Sequence, residues 1–310
     1  MTYPWLEQVE TEFAERHTSS RLPHALLISG PADTGKLNLA TAFMTSLLCL
    51  QNTHPACGNC RSCQLLASGA HPDRHFITFE EHPRTGELRR EIVVQQIRKL
   101  IASLYLTNTI SARKVALIHP VEALNTHAAN ALLKTLEEPP GDTNLILVSD
   151  DPLRLPATIR SRCQNLHVRP PDRESALMWL CDNSGVDQHE AGDALEAAAG
   201  SPLAALRIME NGAVIQYRLV TETLDHLISG DVAAGAAMAA LADIEPLQLW
   251  SWLSLRAAAE LKAVMPAGDN AKSLSLLQAG ADRSRKLLPT PVRKDLLLQD
   301  WLIQWSRIKA

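Results

Sequence analysis

The feature that most constrains this chain is Gly30-Pro31-Ala32-Asp33-Thr34-Gly35-Lys36, set between an apolar run at 25–29 and a helical stretch at about 35–50. A strand that feeds a glycine-flanked loop opening a helix commits the segment to a β-loop-α unit. The pattern continues, with residues 75–79, 114–119, 144–149 and 164–168 reading as further strands. Residues 92–104 read as a helix whose apolar face carries Ile92, Val93, Ile97, Leu100, Ile101 and Leu104. Thr126, placed as an N-cap, opens another helix that ends at Glu138, because Pro139-Pro140 cannot continue it. Strands alternating with helices imply a parallel sheet covered on its faces.

After Arg169-Pro170-Pro171-Asp172 the alternation stops and helix follows helix, with Asp172 placed as an N-cap. Residues 186–200 complete a small helical unit closed by Gly200-Ser201-Pro202. Residues 212–310 read as nearly all helix, broken at Gly230, Pro246, 266–268 and 289–291, with an apolar stripe of Leu297, Leu298, Trp301 and Trp305 near the end. A length of 310 residues suits two or three domains. The expected layout is an α/β domain at 1–168, a small helical domain at 169–211 and a larger helical domain at 212–310.

Lys plus Arg number 30 against 34 Asp plus Glu, a net charge of −4, which gives no reason to expect autonomous, salt-sensitive nucleic-acid binding. With 46% hydrophobic and 21% charged residues, wholesale disorder is excluded. The richest apolar stretch, 39–50, is interrupted by Thr41, Thr45 and Ser46, so no membrane span is expected. The start, Met1-Thr2-Tyr3-Pro4-Trp5-Leu6-Glu7, has no basic and apolar leader pattern, and the reading is a cytosolic protein.

The glycine-flanked loop matches G-x-x-x-x-G-K, in which Gly30, Gly35 and Lys36 would cradle nucleotide phosphates. The next residue should be a Ser or Thr that holds Mg²⁺, but here it is Leu37. A later strand should end in an acid for the same ion, and here His119-Pro120 follows, with Glu122 the nearest carboxylate. The loop thus keeps its shape without the groups that hydrolyse ATP, while bare nucleotide binding through Lys36 stays open. Four of six cysteines, Cys49, Cys57, Cys60 and Cys63, are spaced C-x₇-C-x₂-C-x₂-C, as a closed structural Zn²⁺ site requires. Asn59, Arg61 and Ser62 between them suit a knuckle facing water.

In Thr158-Ile159-Arg160-Ser161-Arg162-Cys163 an arginine reads either as a surface charge or helix C-terminal cap, or as a guanidinium supplied to another subunit's γ-phosphate. Spacing does not choose between them. Cys163 and Cys181 read as small buried hydrophobes, and His24 as a satisfied core histidine. The adjacent acids Glu137 and Glu138 do not form a catalytic pair. Arg283, Arg285, Lys286, Arg293 and Lys294 read as solvated helix faces, and Glu87 and Glu91 dilute Arg89, Arg90, Arg98 and Lys99.

Several runs resemble the clamp-loader subunits of bacterial DNA polymerase III, which are AAA+ proteins. They are the stretch from His24 through Ile28, the cysteine cluster after the P-loop helix, His71-Pro72-Asp73, the run Asn130-Ala131-Leu132-Leu133-Lys134-Thr135-Leu136-Glu137-Glu138-Pro139-Pro140, and Ser161-Arg162-Cys163. The resemblance covers roughly residues 20–170 and implies an AAA+ P-loop-type sheet domain with a zinc knuckle at 49–63, a small helical lid and a C-terminal helical collar. Motor subunits of that family keep a Thr after the lysine and an Asp-Glu pair after the third strand. Leu37 and His119-Pro120 depart from both, while Ser161-Arg162-Cys163 is kept.

The resemblance therefore implies a stator that hydrolyses no ATP, with Lys36 a remnant and Arg162 completing a neighbour's ATP site. The implied partners are motor (gamma/tau) and delta subunits, with the sliding clamp and primed DNA in the assembled complex. The competing readings are a weakly active ATPase motor subunit, with Glu122 standing in for the missing acid, and a zinc-dependent nucleic-acid module acting alone.

Overall fold

The computed structural model describes residues 3–19, 21–264 and 269–308. Five short apolar segments form its strands: β1 (Ala25–Ser29), β2 (Arg74–Ile77), β3 (Lys114–Ile118), β4 (Thr143–Ser149) and β5 (Gln164–His167). They pair in the order β2-β3-β4-β1-β5, and every pairing is parallel. β1 and β3 are buried at every residue, as expected of strands covered on both faces. Around them run α1 (Glu7–Thr18), α2 (Lys36–Leu48), α3 (Arg61–Ala67), α4 (Val94–Leu104), α5 (Thr126–Glu137) and α6 (Ala157–Arg160). This is the P-loop-type parallel sheet domain that the resemblance implied.

Boundaries moved where local chemistry outweighed periodicity. The second strand is shifted one residue back to start at Arg74 and stops at Ile77 rather than 79. Ile92 precedes α4, fully buried and bridged to Leu124. Asn125, not Thr126, caps α5, its side chain accepting from the Ala128 N–H at 2.9 Å.

α7 (Arg173–Ser184) follows, with Asp172 accepting from the Ser175 N–H at 2.8 Å in the manner of a cap. Then come α8 (Gln188–Ala197), α9 (Pro202–Glu210), α10 (Val214–Ser229), α11 (Ala234–Ala240), α12 (Pro246–Val264), α13 (Asp269–Leu287) and α14 (Lys294–Trp305). The chain divides into two compact units, Met1–Ser175 and Ala176–Ala310. The second holds two apolar clusters. One gathers Ala176, Leu180, Ala191, Ala194, Leu195, Ala205 and Val214; the other is built on Trp250, Trp252, Trp301 and Trp305. Gly230 ends α10 in the left-handed conformation, and Pro246 opens α12. The break expected at 266–268 lies outside the described residues. Among those residues no helix is long and apolar enough to cross a membrane.

Candidate functional site

Register places the first group of candidate residues. Ser29 at the end of β1 pairs with Ser149 at the end of β4, and Ile118 at the end of β3 pairs with Leu147. The segments leaving these three strands therefore converge at their carboxyl ends, where open parallel sheets hold ligands. They bring together the loop at 30–36, His119, Glu122 and Asp150.

Gly35 adopts φ +85° to open α2, and a Cβ there would lie 2.5 Å from the Tyr3 ring, so only glycine fits. Lys36, the first residue of α2, is buried and turned inward. Its ammonium lies 2.7 Å from Asp150 Oδ1, donates to the Pro31 carbonyl, and lies 3.4 Å from Thr34 Oγ1. An ammonium has three N–H groups, and each has an internal acceptor here. Asp150 is positioned in turn by its own N–H, which donates to Glu122 Oε1 at 2.9 Å. Burial holds His119 below the usual histidine range, against the pull of the Asp150 and Glu122 carboxylates. Two N-terminal aromatics cover the loop: the Trp5 indole donates to the Thr34 carbonyl at 2.9 Å, and Tyr3 accepts from Asn38 at 2.8 Å.

The four clustered cysteines do converge. Cys49 follows α2, Cys60 caps α3 and Cys63 lies in its first turn. All four sulfurs lie within 4.8 Å of one another, with Cys49–Cys57 at 3.5 Å and Cys57–Cys63 at 3.9 Å. Tetrahedral zinc with bonds of about 2.3 Å puts sulfurs about 3.8 Å apart, so the arrangement fits the ion. Burial opposes ionisation of Cys49, but backbone N–H groups of Cys57 and Gln51 outweigh it and bring the thiol down to about 6. At Cys63 burial, joined by the Cys60 thiol, pushes the thiol up to about 12. At Cys60 burial is again outweighed, by hydrogen bonds from the backbone N–H groups of Cys63 and Leu50 and from the neighbouring thiols, and its thiol is lowered as well. The resistance to ionisation therefore sits at Cys63, where a divalent cation would supply the opposing charge.

Ser62 departs from the expectation that it faces water: it is fully buried. Its hydroxyl and that of Ser111 both donate to the Leu48 carbonyl, at 2.6 and 2.7 Å, next to Cys49. With those hydrogens used, His71 Nε2 is the donor to the two hydroxyl oxygens, while Nδ1 accepts from the Asp73 N–H at 3.1 Å. Asp73 itself accepts from the N–H groups of Thr109, Ile110 and Ser111 at 2.7–2.9 Å. His71-Pro72-Asp73 is therefore the strut that ties the knuckle to the segment before β3.

Arg162 lies just past α6, apart from the loop. It donates through Nε to Glu137 Oε1 at 2.6 Å and through Nη1 to the Thr158 carbonyl at 2.9 Å. Ser161 is exposed; Cys163 is partly buried against the sheet core, which pushes its thiol up to about 12. Cys181 is likewise partly buried, against the cluster in α7–α9. His24 is satisfied, its Nε2 lying 2.7 Å from the Leu136 carbonyl. Three residues were given no role from the sequence, Tyr3, Trp5 and Asp150, and Glu137 was read only as one of two adjacent acids that form no catalytic pair. Only Asp150 left a signal, as an acid directly after a strand.

The family model described as "DNA polymerase III, delta subunit" matches residues 5–172. The DNA polymerase III subunit delta' of Pseudomonas aeruginosa is 35% identical over 308 residues, covering 97% of this chain and 89% of that protein. The Escherichia coli subunit delta' is 36% identical over 67% of this chain and 61% of its own length. The subunit tau/gamma of Haemophilus influenzae is 31% identical over 70% of this chain and 31% of that protein.

Proposed function

Because this chain belongs to the DNA polymerase III delta' family, we propose that it is the stator of the clamp loader, hydrolysing no ATP itself and lending Arg162 to a neighbour's ATP site. The observation that carries this reading is Lys36. A phosphate-binding lysine must offer its ammonium outward to a nucleotide, and this one is neutralised by Asp150 and bonded back to its own loop. Leu37 offers no oxygen to Mg²⁺, and Glu122 is engaged by the Asp150 N–H, which disfavours a weak ATPase built on Glu122.

In this reading the motor (gamma/tau) and delta subunits are the direct partners, and the sliding clamp and primed DNA are met through the assembled ring. The helices of 169–211 act as the lid and those of 212–310 as the collar. Zinc is structural, because four thiolates leave no open position for a substrate water. A net charge of −4 suits a cytoplasmic subunit whose partners supply most phosphate contacts.

The test is ATP hydrolysis by the chain alone and after reconstitution with motor and delta subunits, wild type beside Arg162→Ala. The expected outcome is silence alone and DNA-stimulated turnover in the complex that falls by roughly 10³-fold or less in the variant. Turnover by the isolated chain that vanishes in Lys36→Ala would replace the stator with a motor.

A further inference from the structure

Glu137 is the last residue of α5 and places its carboxylate where the helix already concentrates negative charge on its final carbonyls. Arg162 offsets that unfavourable position. Both Nε and Nη2 of Arg162 donate to Glu137 Oε1, and Nη1 donates to the Thr158 carbonyl at 2.9 Å, with a long contact to Ser161 Oγ at 3.4 Å. A guanidinium carries five N–H groups. Glu137 takes two and the Thr158 carbonyl one, which leaves one on Nη2 and, beyond the long Ser161 contact, one on Nη1. The side chains are 32% and 48% exposed for Arg162 and Glu137, so the pair meets solvent.

We propose that Glu137 is a positioning residue for Arg162, gripping the guanidinium along one flank so that N–H groups of Nη1 and Nη2 stay available to a phosphate on a neighbouring subunit. This rests on the reading of Arg162 as the residue lent in trans. Two N–H groups on adjacent nitrogens match two phosphate oxygens, which is the recognition a guanidinium performs best. A free arginine samples many rotamers and loses that freedom on engaging its target, whereas one already held loses less. The Glu137 charge has the opposite tendency, since it weakens the attraction of Arg162 for an anion. Geometry and charge thus predict opposite signs for removing Glu137.

The experiment measures DNA-stimulated ATPase of the reconstituted loader containing Glu137→Ala, Glu137→Gln, Arg162→Ala or the double alanine variant. Glu137 is half exposed at a helix end and alanine is a good helix former, so the fold survives the change. Positioning predicts that Glu137→Ala lowers kcat by about tenfold with KM for ATP unchanged. Glu137→Gln, which keeps an oxygen acceptor, restores most of that loss. The double variant falls no further than Arg162→Ala.

Wild-type or raised kcat in Glu137→Ala, beside an impaired Arg162→Ala, would overturn the positioning role and leave the lent arginine standing. A double variant weaker than Arg162→Ala would also overturn it, since Glu137 would then act elsewhere. Wild-type activity in Arg162→Ala would instead remove the reading on which the proposal rests.

Discussion

Lys36 occupies the position of a phosphate ligand and performs the work of a cross-brace. Its ammonium joins the loop after β1 to the residue after β4, out of contact with solvent. Replacing it with methionine keeps much of the volume but leaves the Asp150 carboxylate without its ammonium partner and the Pro31 carbonyl with the Thr34 hydroxyl as its remaining donor. Because Asp150 keeps access to water, the expected cost lies below that of a fully buried pair, about 1–3 kcal/mol of unfolding free energy. Urea denaturation of the isolated Lys36→Met chain measures it, and a change under about 0.5 kcal/mol would mean that the ammonium braces nothing. The G-x-x-x-x-G-K motif was legible because a glycine turn before a helix is a local pattern. Its partner Asp150 was not, because the two meet only through the pairing of β1 with β4, and no local periodicity encodes which strands become neighbours. Glu137 was legible only as one of two adjacent acids, since its meaning depends on Arg162 across a strand and a short helix.

At the scale of elements, the four cysteines draw the end of α2 and the start of α3 together in a cluster that fits a metal, and the strut of His71 and Asp73 holds both to the segment before β3. The expected composition of the purified chain is about one zinc per chain by elemental analysis, and Cys57→Ser should retain little of it. That variant should also lose amide-exchange protection in α3 while the rest of the sheet keeps its own. Full zinc occupancy in Cys57→Ser would remove Cys57 from the ligand set. The cysteine spacing announced this element because metal ligation is a short-range constraint. The burial of Ser62 could not be read the same way: a serine between two cysteines looks wettable, and only packing of α3 against the end of α2 turns its hydroxyl onto the Leu48 carbonyl. The shift of the α5 cap from Thr126 to Asn125 is a choice between two adjacent residues able to cap, which the sequence leaves nearly balanced.

Across the whole molecule, acid should act unevenly. His17, His54, His71, His75 and His119 all have their pKa lowered, with burial the leading cause in each, and all lie in the unit ending at Ser175. Between the lowered folded values and the unfolded value of about 6.5, the unfolded chain binds more protons, so stability rises with pH. Their contribution is present above about pH 6.5 and is lost as pH falls through the folded values. Five of the six tryptophans belong to the other unit, four of them in its larger core. Calorimetry from pH 7 to pH 5 should show the unit rich in buried histidine melting earlier, while the transition followed by tryptophan fluorescence moves less. Equal shifts in both would contradict this account. The change from alternating strands and helices to helices alone, near 169–172, was visible because Pro170-Pro171 interrupts a change of period. The helical half was legible only as helix: α11 is a seven-residue alanine-rich helix of about two turns whose borders carry no strong punctuation.

The inward-facing Lys36 also bears on how such a chain descends. A lineage released from nucleotide chemistry would ordinarily be free to let its phosphate lysine drift. Here the lysine is paired with Asp150, so replacing either one alone leaves the other without its partner. The expected consequence is that related chains keep the two together or lose them together, which an alignment of relatives would check. A G-x-x-x-x-G-K signature can therefore persist as a relic kept for its bracing value. Genome surveys that read it as the mark of an ATPase need to inspect the residue after the fourth strand as well.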